Sequence, residues 1–99
     1  MRLSPEDHRV ILEKVEQVCG EEATVTLFGS RVNDDEKGGD IDIMVSVNKP
    51  LENPAYIAAM TSAKIMRTLQ GRKVDVILLA PNLQYLPIHD MAKRQGIKL

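Results

Sequence analysis

One cysteine, Cys19, in 99 residues rules out an intramolecular disulfide and suits a reducing compartment. It sits near the end of an apolar helical pattern and reads as a buried structural thiol. No apolar run approaches the length of a membrane span, and the charged N-terminus lacks the apolar core of a signal peptide, so the expected location is cytoplasmic, with no membrane partner. An excess of positive charge is missing too. Thirteen Lys and Arg stand against fourteen Asp and Glu, a formal net charge of -1, which excludes the broad basic footprint of a sequence-independent nucleic-acid binder. There are no internal repeats, low-complexity tracts or dividing linkers. No glycine-rich loop ends in Gly-Lys-Ser or Gly-Lys-Thr, so a P-loop is excluded. The acidic run Asn33-Asp34-Asp35-Glu36-Lys37-Gly38 lacks the register of an EF-hand and reads as a solubilising loop.

What remains is an ordinary globular composition, 43% hydrophobic and 27% charged, in a chain sized for one domain over residues 1–99 with no second lobe. Ser4-Pro5-Glu6-Asp7 reads as a helix start, with a hydroxyl cap, proline at the first position and acids at the positive end of the dipole. Val10, Ile11, Val15 and Val18 give that helix an apolar face, and Gly20 ends it. Residues 23–28 read as a strand stopping at Gly29. Residues 40–47 read as a second strand, with Ile41, Ile43 and Val45 on one face and Asp40, Asp42 and Met44 on the other. Asn53-Pro54 starts a helix to about Leu69, stopped by Gly71. Residues 73–79 are apolar except for Asp75, as expected of a strand buried on both faces. A last helix begins near Leu86-Pro87, turns Ile88, Met91 and Ala92 inward, and ends at Gly96. His8, His89, Tyr56 and Tyr85 read as surface, packing or interface residues, and Arg72-Lys73 and Lys93-Arg94 as solvated pairs, either of which could meet an acidic partner.

Two elements carry chemistry. Phe28-Gly29-Ser30-Arg31 places a Gly-Ser turn at a strand end. Gly29 lets backbone N–H groups approach an anion, Ser30 adds a hydroxyl donor, and the Arg31 guanidinium matches phosphate charge. In Gly39-Asp40-Ile41-Asp42-Ile43, Asp40 and Asp42 share one strand face about 6 to 7 Å apart at their Cα atoms. At an effective dielectric near 20, two ionised carboxylates about 6 Å apart repel by on the order of 3 kcal/mol. Such a pair calls for a cation, a proton or full solvation, and hard oxygen donors select magnesium, calcium or manganese over zinc. Asp75 would be costly to bury unpaired within its apolar run, and a shared cation explains it. Two metal ions held by three carboxylates, one activating the attacking oxygen and one steadying the leaving group, would serve phosphoryl or nucleotidyl transfer.

These three segments, with the closing run from Ile88 to Leu99, resemble the minimal nucleotidyltransferases of the DNA polymerase β superfamily over essentially the whole chain. The resemblance implies an α/β fold of polymerase β type, a small mixed β-sheet flanked by helices. It also implies Asp40, Asp42 and Asp75 as metal ligands and catalytic carboxylates, with Gly29 and Ser30 contacting the nucleotide phosphates. Many such proteins are similar to antitoxins paired with HEPN-domain ribonuclease toxins, in which a toxin tyrosine is adenylylated. The leading expectation is therefore a Mg²⁺-dependent enzyme, with Mn²⁺ able to substitute. It would move AMP from ATP to a hydroxyl of a HEPN-domain partner. Two alternatives stand beside it: a non-catalytic antitoxin acting by occlusion, and nucleotidyl transfer to a small molecule, whose pocket a homodimer would have to complete. Template-directed polymerisation is not expected, because no nucleic-acid-binding domain accompanies the site.

Overall fold

The computed structural model describes residues 3–29 and 40–99. Helix α1 (Pro5–Cys19) starts as its sequence dictates: the Ser4 hydroxyl accepts from the Asp7 amide at 3.0 Å, and Pro5 fills the first turn. Val10, Ile11 and Val15 are buried and Val18 half-buried. The chain then leaves through Gly20 at a positive φ of 95° and enters strand β1 (Thr24–Phe28). Strand β2 (Ile41–Ser46) pairs antiparallel with β1, Phe28 facing Asp42 and Leu27 facing Ile43. Helix α2 (Pro54–Thr68) has Asn53 at its N-cap position, although that side chain makes no capping bond. Gly71, at φ 85°, terminates it by donating to the Met66 carbonyl.

Strand β3 (Val74–Leu79) returns parallel to β2, with Asp42 beside Asp75 and Met44 beside Ile77. Helix α3 (Pro87–Gln95) follows, and the two-residue strand β4 (Ile97–Lys98) closes onto β1 antiparallel. The sheet order is β3-β2-β1-β4, a mixed four-stranded sheet with helices on both faces, as an α/β fold of polymerase β type requires. The passage from α3 into β4 is tight. A Cβ on Gly96 would lie 2.5 Å from Thr26 Cγ2 and 2.8 Å from the Leu27 carbonyl oxygen, besides striking that of Ala92.

The period of two along β2 divides the interior. Ile41, Ile43 and Val45 join Val25, Leu27, Val74 and Leu78 beneath α1 and α2 in the main core. On the other face Phe28 and Met44 meet Ala92 of α3, with Ile77, Leu79 and Met91 packed around them.

Three expectations need correction. β3 is not buried on both faces: among the described residues it is an edge strand of the sheet, and Asp75 is exposed near its start, while Ile77 and Leu79 further along that face pack into the cluster under α3. Ile88 points outward, 40% exposed, while His89 is the buried residue of the first turn of α3. Its ring displaces an apolar side chain there because both nitrogens find backbone partners: Nδ1 accepts from the Leu86 amide and Nε2 donates to the Leu78 carbonyl, each at 2.9 Å. Arg72 is half-buried rather than solvated, its guanidinium bonding Asp7 at 2.9 Å and tying the start of α1 to the turn before β3. Cys19 is half-buried, 3.9 Å from the Thr61 hydroxyl; burial pushes its thiol pKa up, which suits an inert packing role.

Candidate functional site

β1 runs opposite to β2, and β2 runs parallel to β3. The end of β1 and the starts of β2 and β3 therefore fall at one edge of the sheet. Gly29, Asp40, Asp42 and Asp75 all collect there, brought from three segments of the chain.

Asp42 is the centre of the group. It is half-buried and paired across the ladder with exposed Asp75, while exposed Asp40 stands just before the strand. Its pKa is raised above the ordinary carboxylate value, first by partial burial and next by the negative charge of Asp75. A hydrogen bond shared with Asp75 and the charge of Asp40 raise it further, and the Lys73 ammonium opposes them. Asp40 thus acts on Asp42 through its charge, whereas Asp75 acts through both charge and contact. Among the described residues, no three His, Cys, Asp or Glu side chains close on a common point where an ion would sit. The expected burial of Asp75 does not hold, so its desolvation cannot be the reason for a cation. The like-charge crowding at Asp42 supplies that reason instead, and an all-oxygen donor set fits a hard divalent ion.

Gly29 belongs to the same group for a geometric reason. Its φ is 81°, a region that residues with a Cβ rarely enter, and a Cβ built there would lie 2.5 Å from Asp42 Oδ2. The Asp42 carboxylate therefore rests in the space a side chain at position 29 would fill. Glycine serves the turn and the carboxylate together. Ser30 and Arg31, expected to contact phosphate, lie outside the described residues, as does the acidic loop that follows them.

Lys73 is the residue that sequence reasoning undervalued. It is exposed, yet it is the cation opposing the acids at Asp42. The signal was present: Lys73 lies two residues before Asp75, and side chains two apart on a strand share a face. Tyr56 and Tyr85 lie away from the carboxylates, on α2 and before α3. Tyr85 is half exposed beneath the Lys93 ammonium, which sits 5.1 Å from its ring centre.

No helix among the described residues is long and apolar enough to cross a membrane. No curated protein matches the chain in sequence. The profile of the nucleotidyltransferase domain, by contrast, matches residues 8–97, a span that takes in strands β1 to β3 and all three carboxylates. Fold, carboxylate placement and this match agree, and the chain belongs to the nucleotidyltransferase-domain family of the polymerase β superfamily.

Proposed function

We propose that this protein is a Mg²⁺-dependent nucleotidyltransferase that moves AMP from ATP to a protein hydroxyl, a tyrosine of a HEPN-domain toxin, with pyrophosphate leaving as the α–β phosphate bond breaks, and so acts as an antitoxin. The observation that carries the transfer chemistry is the placement of Asp42 against Gly29, with Asp75 beside it and Asp40 before it, in a chain of the nucleotidyltransferase-domain family. Asp40, Asp42 and Asp75 would hold the metal, and Mn²⁺ would satisfy the same oxygen donors. When bound, the ions supply charge neutralisation for the triphosphate and activation of the attacking oxygen.

The chain's own residues do the rest. Gly29 presents backbone at close range and keeps the Asp42 carboxylate at the turn, with Ser30 and Arg31 following as donors to phosphate. Asp75, exposed at the open end of the sheet, stands where an incoming hydroxyl is accessible and serves as metal ligand or proton acceptor. Among the described residues, Asp40 and Asp75 are both exposed at that end. A folded protein partner that brings its own hydroxyl suits such an open site better than a small molecule, which would need enclosure.

The deciding experiment is intact mass spectrometry of the protein with its co-purifying partner, incubated with Mg²⁺ and each nucleoside triphosphate in turn. A partner mass gain of one or more whole nucleoside monophosphates is expected with ATP, and none with the Asp40→Ala/Asp42→Ala protein. A stable complex that gains no mass with any triphosphate would replace this reading with inhibition by occlusion.

A further inference from the structure

Among the described residues β3 has a strand neighbour on one side only, so half of its backbone groups face away from the sheet. The Ile41 amide donates to the Lys73 carbonyl and the Val47 amide to that of Leu79, each at 2.9 Å, which sets the alternation. The carbonyls of Lys73, Asp75, Ile77 and Leu79 point toward β2, and those of Val74, Val76 and Leu78 point outward. Side chains from two helices occupy two of the outward three. Ser62 of α2 donates its hydroxyl to the Val74 carbonyl at 2.6 Å, and His89 of α3 donates from Nε2 to that of Leu78 at 2.9 Å.

The Ser62 bond stands out against its own helix. Thr61 and Thr68, also on α2, turn their hydroxyls back to the carbonyls four residues earlier, Ile57 at 2.8 Å and Lys64 at 3.1 Å. Ser62 instead reaches across to the next strand, with Met66 Sδ also within 3.5 Å of its hydroxyl. Alanine would suit a helix interior better than serine, so the hydroxyl finds its use in the bond it makes outside the helix. That bond lands one residue before Asp75.

We propose that Ser62 is a positioning residue for Asp75: it pins the outer edge of β3 at Val74, His89 pins the strand's far end at Leu78, and the carboxylate is thereby held beside Asp42. The inference rests on the metal-site reading given above. Its metal-free arm keeps the two separable.

The test compares Mn²⁺ affinity, by electron paramagnetic resonance, in the wild-type protein and in Ser62→Ala, Ser62→Thr and Asp42→Asn. Loss of Ser62 is expected to weaken binding roughly tenfold, as loss of a group supporting a metal ligand commonly does, and threonine to restore it. In metal-free protein, amide exchange at Asp75 and Ile77, whose backbone groups face β2, is expected to quicken in Ser62→Ala. Equal affinity together with equal exchange in wild type and Ser62→Ala would overturn the inference. Wild-type affinity no better than that of Asp42→Asn would overturn the metal reading instead, and the exchange rates alone would then decide whether the pin exists. Should Ser62→Ala not fold, the wild-type hydroxyl proton decides: slow exchange with solvent supports the bond to Val74, and free exchange refutes it.

Discussion

On one face of the sheet, α1 and α2 cover a continuous apolar layer running from Val25 and Leu27 through Ile41, Ile43 and Val45 to Val74 and Leu78. On the other, α3 covers Phe28 and Met44, while Asp42 beside Phe28 is half-buried and Asp75 exposed. Successive residues of β2 alternate between these two settings, so Ile41 and Ile43, fully buried, flank a carboxylate that meets solvent. The alternation lets a short strand anchor the core and crowd acids together at once. The cost of that crowding falls on a strand whose other side chains secure it.

The sharpest way to break this contrast is Asp42→Asn. Transfer is expected to fall on the order of 10³-fold or more, while the metal-free melting temperature holds or rises, since the change removes one of three mutually repelling charges. Transfer assays beside thermal melts check both halves, and unaltered turnover would sink the catalytic role of the site. Ile43→Ala strikes the other face and is expected to cost about 4 kcal/mol in urea unfolding, against about 2 kcal/mol for Met44→Ala under the smaller cover of α3. Equal losses would show that the two faces contribute alike to stability.

Gly29→Ala lies between the two kinds of change. The positive φ alone is expected to cost about 1–2 kcal/mol, and displacement of the Asp42 carboxylate should lower kcat by more than that destabilisation explains. Paired kcat and Tm measurements separate the two effects. The smallest effect is with pH. Asp42 binds its proton more tightly in the folded chain than in the unfolded one, so its protonation favours folding. That contribution is complete below the carboxylate's unfolded value and is lost as pH rises through the raised folded value. In metal-free protein, the Tm advantage of Asp42→Asn over wild type should therefore shrink as the solution is acidified through this range. A constant gap would show that neither burial nor the neighbouring acids hold the Asp42 pKa above its unfolded value.

Most of the fold was legible because the signals were local. Ser4-Pro5, Gly20 and Gly71 each ended or began a helix by their own backbone chemistry, and the Ile41/Ile43/Val45 alternation marked β2 as a two-faced strand. The misreadings all turn on neighbours the chain meets only after folding. Val74 to Leu79 looks like a central strand, and its edge position depends on a strand order that no local pattern carries. Ile88 was placed inward by hydropathy, whereas His89 wins the buried position through the Leu78 carbonyl and the Leu86 amide. Of the site, the pairing of Asp40 with Asp42 was visible as alternation, and Asp75 as an acid misplaced among apolar residues. The reason for Gly29 was only half visible: the turn was evident, but the carboxylate lodged against its Cα was not.

The parallel pairing of β2 with β3 has a consequence in time. A ribosome delivers Gly29, Asp40 and Asp42 together, on a hairpin that forms from adjacent sequence. Asp75 emerges only after the whole of α2 and reaches its place when that helix has folded back across the sheet. A half-made chain thus carries two acids and no third. On the proposed reading, activity waits for that contact, so its acquisition during synthesis or refolding would mark the closing of the β2–β3 crossover.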